Sequence, residues 1–178
     1  MDFRRINIFG GPGCGKSTVA ANVFSRMKSD GHNIELVDEY VKSWAYEKRE
    51  INKFDQAYLF TRQLRKEYLV LKNSSGMIIT DSPLHLSICY AKRCGFARWD
   101  CLQSIANDFE DEYPSINVIL DRVGCEYKQE GRYEDYNQAI EVDATISNYI
   151  YNCGIEWCMM RFNDHDGIYQ WIKSTVSK

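Results

Sequence analysis

The sequence predicts an α/β fold in which one parallel β-sheet is covered by helices on both faces. Short apolar runs alternate with longer segments of helical periodicity along the whole chain, which is typical of strands and helices that follow one another in a parallel arrangement. The strand-like runs are apolar throughout, as expected for strands that are buried on both faces. A glycine-rich motif between the first strand and the first helix is the third observation that predicts this fold class.

The predicted strands, first to fifth, are Ile6–Phe9, Asn33–Val37, Gly76–Thr80, Asn117–Leu120 and Glu156–Phe162. The predicted helices are Ser17–Lys28, Ile51–Lys72, Leu84–Cys94, Asn137–Asn152 and Asp166–Val176. Ligands of parallel sheets bind outside the carboxyl ends of the strands. The residues that directly follow each strand are therefore the candidates for function.

Composition and length limit the classes of protein that fit. The 178 residues predict a single domain spanning 1–178, and 44% hydrophobic with 26% charged residues is ordinary for a globular chain. The net charge of −3 gives no general attraction to DNA, so DNA binding would require a local basic patch. No apolar stretch approaches the roughly 20 residues that span a membrane, and the charged run Met1–Arg5 does not resemble a secretory signal.

The cysteines point to a reducing compartment. The chain has seven, an odd number, and no CxxC pair among them. This pattern argues against a disulfide framework and against structural zinc. We therefore expect a cytoplasmic protein, in the host cytoplasm if the source is viral.

The motif after the first strand matches the phosphate-binding P-loop pattern GxxxxGK[ST]. Its backbone amides and the following helix N-terminus are expected to bind the phosphates of ATP. Lys16 would contact the β- and γ-phosphates, and Ser17 would ligate Mg²⁺. The alternative is a glycine-rich turn with a capping serine. The predicted nucleotide-binding residues are Gly10, Gly11, Pro12, Gly13, Cys14, Gly15, Lys16, Ser17 and Thr18.

The Cys14 thiol lies beside Lys16 and a helix N-terminus in this motif, two features that stabilise a thiolate. We therefore expect a reactive cysteine that bound nucleotide protects from alkylation.

Carboxylates follow three of the predicted strands. Asp81 directly follows the third strand and is expected to lie on the magnesium side of the phosphates. Ser82 and Pro83 have the pattern of a helix cap and a first helical residue, which leaves Asp81 free. The alternative is an aspartate that only orders a turn.

Asp38 and Glu39 follow the second strand. One of them, Glu39 ahead of Asp38, is expected to act as the base on the acceptor side or as a ligand. Either could instead complement the dipole of the next helix. Asp121, after the fourth strand, is interpreted as an anchor for the segment that follows.

The segment 122–137 is predicted to be a basic lid. Phosphoryl transfer is accelerated by an arginine that reaches the transferred group when a lid closes. Arg132 is the first candidate and Arg122 the second. The alternative is a solvated loop whose cations pair with Glu126, Glu130 and Glu134.

The segment 42–72 is longer than a simple crossover and is interpreted as an acceptor-side insert. Aromatic, glutamine and arginine side chains could stack on a base and read it, although the spacing also fits a helix packed on the core. For the aromatic side chains we favour packing on the core. For Arg62 and Gln63 both interpretations, base reading and core packing, stay open. The residues concerned are Trp44, Tyr46, Phe54, Gln56, Tyr58, Phe60, Arg62, Gln63 and Tyr68.

Together these residues resemble the P-loop nucleoside and nucleotide kinases, specifically the ribosylnicotinamide kinase domain of NadR-type proteins and its bacteriophage relatives. The matching segments are Gly10–Thr18, Asp38–Tyr40, Gln56–Gln63, Ile79–Pro83 and Tyr127–Arg132. The resemblance implies a P-loop NTPase three-layer sandwich with sheet order 2-3-1-4-5, ATP as donor, and a hydroxyl of a nucleoside or nucleotide as acceptor.

The phage members of this branch that the chain resembles include 5-hydroxymethyluracil DNA kinases, which makes that modified base the leading acceptor candidate. A ribosylnicotinamide- or deoxynucleotide-type kinase is the alternative, and a P-loop ATPase switch without kinase activity is the competing class. The lid and the long insert favour a kinase. The cations expected to contact DNA phosphates are Arg62, Arg65, Lys66, Lys92, Arg93 and Arg98.

Overall fold

The computed structural model describes residues 3–176, so the two residues at each end of the predicted 1–178 domain lie outside it. Five strands form one sheet in the order β2-β3-β1-β4-β5, and every neighbouring pair is parallel. The predicted α/β class and the sheet order 2-3-1-4-5 are therefore confirmed. The strands are β1 Arg5–Phe9, β2 Ile34–Val37, β3 Met77–Thr80, β4 Ser115–Asp121 and β5 Cys158–Arg161.

Helices cover both faces of the sheet. Alternate residues of each strand face opposite sides, so Ile78 packs with one set of helices and Ile79 with the other. The helices are α1 Lys16–Ser29, α2 Lys42–Tyr46, α3 Asp55–Asn73, α4 Leu84–Arg93, α5 Trp99–Glu112, α6 Tyr136–Asn152 and α7 His165–Val176. Buried residues of α1 and α7 form one core, and those of α3, α4, α5 and α6 form the other. Within residues 3–176, no helix has the length and apolar character needed to cross a membrane.

Three local expectations are corrected. The helix predicted from Ile51 begins at Asp55, preceded by the separate short helix α2. Helix α5 was not predicted at all. The cap before α4 is Pro83 rather than Ser82, because the backbone N–H of Ser82 donates to the Thr80 hydroxyl at 3.1 Å and the chain is still turning there.

A buried network of polar side chains fixes helix α3 against the sheet below the strand ends. Arg5 of β1 and Glu67 of α3 are both fully buried and form an ion pair at 3.3 Å. The Gln63 amide donates to Glu67 at 3.1 Å and to the Thr80 hydroxyl at 3.2 Å. Because an unpaired buried charge is strongly destabilising, these bonds set the rotation of α3. They place Gln63 beside the end of β3.

Candidate active site

The P-loop curls between β1 and α1 as its sequence predicts. Gly15 lies in the left-handed region at φ 89° and caps helix α1, a conformation that favours glycine. The Lys16 ammonium donates to the carbonyl of Gly11 at 2.9 Å. The lysine therefore folds back along the loop, where its charge would meet phosphates bound by the loop amides.

An ion pair that the sequence did not reveal supports the other side of the loop. The backbone N–H of Gly11 donates to Asp143 of helix α6 at 2.5 Å. The second carboxylate oxygen of Asp143 pairs with Arg122, and Arg122 also donates to the carbonyl of Pro12 at 2.7 Å. A side chain at Gly11 would collide with Asp143, since a Cβ there would lie 2.6 Å from its carboxylate. We call Asp143 and Arg122 the P-loop brace.

Arg122 therefore differs from the mobile lid arginine that the sequence predicted. Its side chain is 9% exposed. Burial disfavours its charge, but the hydrogen bond and the charge of Asp143 more than offset this and raise its pKa. It stays charged and fixed to the loop backbone.

The expectation that Cys14 is a reactive thiol is wrong. Its side chain is fully buried in the core beneath the loop. Burial raises the pKa of the thiol, and the nearby Lys16 charge offsets this only in part. The thiol faces the Gly10 backbone, where a Cβ would lie 2.4 Å from its sulfur. Cys14 is a packing residue of the loop rather than a reactive thiolate.

Ser17, Glu39 and Asp81 meet at a cleft of about 450 Å³. Asp81 is 6% exposed, and its Oδ1 has no hydrogen-bond partner. A buried carboxylate oxygen without a partner fits a cation ligand. Ser17 and Asp81 could hold Mg²⁺ there, with phosphate oxygens and water completing its shell. Among residues 3–176 no set of three His, Cys, Asp or Glu side chains is arranged to hold a metal by itself.

Glu39 lies where both cavities of the site meet. Burial raises the pKa of its carboxyl; the Lys16 charge opposes this and the Asp81 charge adds to it. A carboxylate with a raised pKa is suited to accept a proton near neutral pH.

Asp38 and Asp121 have structural partners. The Asp38 carboxylate is 77% exposed and pairs with Lys66 at 2.6 Å, although it still lines the smaller cleft. Asp121 accepts the backbone N–H of Val123 at 3.0 Å. It thus orders the turn into the segment 122–137, and its role as an anchor for a lid stays a prediction.

The lid lies against the P-loop. A Cβ added at Gly13 would lie 2.8 Å from the Tyr127 ring and 3.2 Å from Nε of Arg132. The Arg132 guanidinium also donates to lid carbonyls, including that of Glu130 at 3.3 Å. The structure therefore brings Arg132 next to the phosphate-binding loop, and its role in phosphoryl transfer stays a prediction.

A larger cavity of about 830 Å³ extends from the P-loop to the insert. Residues of the segment 122–137 line one side of it. A Cβ at Gly131 would lie 2.9 Å from the Tyr46 ring, and the Tyr133 hydroxyl donates to the carbonyl of Arg49 at 2.7 Å. The walls include Lys16, Glu39, Gln56, Gln63, Tyr90 and Arg132.

The insert residues divide among core, cavity and surface, and the core interpretation is wrong for Phe54 and Tyr58, which are 71% and 45% exposed. Phe60 and Trp44 are buried, as the core interpretation predicted, whereas Tyr46 is 63% exposed and reaches the cavity. Gln63 is 2% exposed and lines the cavity. Arg62 instead lies 4.8 Å from the Tyr40 ring centroid and is not part of the cavity wall.

Residues 5–166 match a sequence family described as an AAA domain. The chain belongs to this AAA domain family. The match begins at β1 and includes the P-loop, the smaller cleft and the lid, so the whole site lies inside the family's segment. No curated protein sequence matches the chain.

Two solved structures of NadR protein have the same fold as this AAA domain chain. One, in complex with NR, has a TM-score of 0.73 and 13% sequence identity, and the match covers 99% of this chain and 52% of the NadR chain. The other, with NAD and AMP-PNP, has a TM-score of 0.70 and 12% identity, covering 99% and 50%. The chain thus spans about half the length of either NadR chain. The P-loop NTPase architecture expected from the resemblance is confirmed, and membership of a phage branch stays a prediction.

Proposed function

We propose that the chain is an ATP-dependent kinase that transfers the γ-phosphoryl group to a hydroxyl of a nucleoside- or nucleotide-like acceptor. The observation that carries the proposal is the cavity of about 830 Å³ joining the P-loop to the glutamine-bearing face of α3. One end of this space suits phosphates, and the other is large enough for an organic molecule. A nucleotide switch needs no such second compartment. The NadR structures with NR and with AMP-PNP support the same class of ligands.

The proposed roles follow from position. Lys16 and the loop amides hold the β- and γ-phosphates. The hydroxyl oxygen of the acceptor attacks the γ-phosphorus and ADP leaves. Glu39 accepts the proton that this hydroxyl loses. Arg132 stabilises the charge on the transferred group. Mg²⁺, held by Ser17 and Asp81, would neutralise phosphate charge.

The acceptor named from the resemblance, 5-hydroxymethyluracil in DNA, stays a prediction. None of the cations expected to contact DNA lines the larger cavity. Lys66 pairs with Asp38 and Arg93 with Glu141, and Lys92 lies 4.1 Å from the Trp99 ring centroid. Free nucleosides and nucleotides are therefore favoured over DNA by the geometry.

The second candidate is a P-loop ATPase without an acceptor, which the family description favours. Radiolabelled ATP separates the two candidates if transferred label and released phosphate are measured in parallel. The acceptors are hydroxymethyluracil DNA, its mononucleotide, its nucleoside and ribosylnicotinamide. Label moving to any acceptor supports the kinase. Phosphate release that no acceptor changes would refute it and leave the ATPase.

The Lys16→Ala variant tests the site itself. We expect it to fold and to lose both transfer and phosphate release, because the charge on the β- and γ-phosphates is gone. Lys28→Ala is the matched control, since Lys28 is an exposed α1 lysine that pairs with Glu35 at 2.7 Å. Equal activity of the two variants would overturn the assignment of the phosphate site.

A further inference from the structure

Two adjacent cations, Lys48 and Arg49, follow helix α2 in sequence and line the larger cavity. Lys48 lies at φ 54° and is the one non-glycine residue with a positive φ among residues 3–176. Its N–H donates to the carbonyl of Ala45 at 3.2 Å, and the N–H of Arg49 donates to that of Trp44 at 3.0 Å. Glycine or asparagine would fill this helix-ending position with less strain. A lysine there is unfavourable for the fold, and strain of this kind is typical of functional sites.

The Arg49 side chain is held in place by a buried aromatic ring. Its guanidinium carbon lies 3.5 Å from the centroid of the Trp44 ring. Trp44 is 4% exposed and stacks on Tyr58 at 6.0 Å between centroids. The backbone of Arg49 is fixed as well, since its carbonyl accepts the Tyr133 hydroxyl. A guanidinium stacked in this way keeps its N–H edges free for a ligand.

Those N–H groups have no acceptor within the part of the chain that the structure describes. No ion pair there includes Lys48 or Arg49. Glu50 lines the same cavity without pairing with either. By contrast, the Arg122 guanidinium of the P-loop brace is held by hydrogen bonds from its Nε and one Nη. An oriented planar fork without partners at a cavity wall matches two oxygens of a phosphate group.

We propose that Arg49, with Lys48, forms an anion subsite that binds a phosphate group of the acceptor. This rests on the proposed function and narrows its acceptor from nucleosides to nucleotides, either free or within a DNA strand. Lys16 and Arg132 lie at the P-loop, where the phosphates of ATP would use them. Lys48 and Arg49, which follow α2 and line the same cavity, would give a second phosphate cations of its own.

The test measures binding by calorimetry with the P-loop saturated by Mg-AMP-PNP, so that the loop cannot take the acceptor's phosphate. The ligands are 5-hydroxymethyldeoxyuridine, its 5′-monophosphate, and a short single-stranded oligonucleotide containing the same base. We expect at least one phosphate-bearing ligand to bind ~10- to 100-fold more tightly than the nucleoside. The monophosphate and the oligonucleotide distinguish the free nucleotide from DNA.

Arg49→Gln should remove most of this preference, and Arg49→Lys should restore only part, because an ammonium lacks the planar fork. Lys53→Gln is the control, an exposed nearby cation outside the cavity wall. Lys48→Gly separates binding from folding. We expect its melting temperature to rise, because glycine relieves the backbone strain. We expect its binding of the phosphate-bearing acceptor ligands to weaken, because the lysine charge is lost.

Equal affinity for nucleoside and nucleotides, no binding of any of the three ligands, or an unchanged preference in Arg49→Gln would overturn the subsite. A preference that Arg49→Gln abolishes, in a protein that transfers no phosphoryl group to these ligands or to ribosylnicotinamide, would support the subsite and contradict the kinase proposal. The two proposals can thus fail separately.

Discussion

Removing the Asp143 carboxylate should free the P-loop backbone from its contacts with helix α6. In Asp143→Ala, the Arg122 guanidinium loses its ion pair and the Gly11 N–H loses its acceptor. The Gly11 carbonyl is also the group that holds the Lys16 ammonium. One substitution on helix α6 therefore releases the residue whose carbonyl holds the lysine, without replacing any residue assigned to the phosphates.

The expected loss of stability follows from burial. Breaking a fully buried ion pair by removing one partner costs about 3–5 kcal/mol. Here Arg122 is 9% exposed and Asp143 23%, so solvent reduces this to roughly 2–3 kcal/mol. The unsatisfied Gly11 N–H adds about 1 kcal/mol. A total of about 3–4 kcal/mol corresponds to a decrease in melting temperature of roughly 6–16 °C for a chain of this size.

The matched control lies on the same helix. Glu141 also pairs with an arginine, Arg93, but at 3.5 Å with both side chains exposed. Glu141→Ala should therefore cost less than about 1 kcal/mol. Urea unfolding followed by circular dichroism measures both variants, and calorimetry with AMP-PNP measures the loop. Asp143→Asn, which keeps an acceptor for Gly11, should retain part of the nucleotide affinity that Asp143→Ala loses.

An Asp143→Ala variant that is no less stable than Glu141→Ala, or that binds AMP-PNP as the wild type does, would contradict a supporting role for the P-loop brace. A double variant gives a further check. The double variant Asp143→Leu with Arg122→Met has no unpaired buried charge. It should therefore be more stable than Asp143→Ala. A double variant that is less stable than the single one would show that the pair itself is not what Asp143 contributes.

Four further outcomes are expected. Asp81→Asn should raise the Mg²⁺ concentration needed for half-maximal turnover by ~10-fold, and an unchanged magnesium titration would contradict its role. Arg132→Ala should lower kcat ~10³-fold while AMP-PNP still binds; an unchanged kcat would reduce the lid to a surface loop. Because burial raises the pKa of Glu39, kcat/KM should rise with pH through a pKa above the ordinary glutamate value of about 4.3, and a limb at that value would exclude Glu39 as the base. Burial lowers the pKa of His85 from 6.5 to about 4, so the unfolded chain binds the extra proton between these values. The free energy of unfolding should fall by up to about 3 kcal/mol from pH 7 to pH 4, and His85→Gln should flatten this fall in urea titrations.

The sequence predicted the parts of the site that depend on local pattern. Apolar strands and the P-loop motif carry their own periodicity and spacing, so the placement of Lys16, Glu39 and Asp81 at neighbouring strand ends followed from the fold class. The position of Arg132 next to Gly13 agrees with its place in a glycine-containing segment after β4, while its role stays a prediction. Each of these inferences needs only residues that are close in sequence.

Residues that depend on helix rotation escaped prediction. Asp143 reaches Gly11 only because α6 packs with one particular face toward the loop, and its helix gives no sign of this in sequence. The burial of Cys14 follows from how the loop curls over the core. Helix α5 was missed although its buried residues Leu102, Ala106 and Phe109 recur at helical spacing, so the sequence did carry the periodic signal of an amphipathic helix there.

The size of the larger cavity bears on how faithfully ATP would be used. At about 30 Å³ per molecule, a space of about 830 Å³ holds on the order of tens of waters when no acceptor is present. Any of those next to Glu39 could replace the acceptor hydroxyl as the attacking group. Acceptors that fill the cavity should expel this water, so the ratio of transfer to hydrolysis should rise with acceptor size. A lid that touches both the P-loop and Tyr46 would then protect the nucleotide best when both compartments are filled.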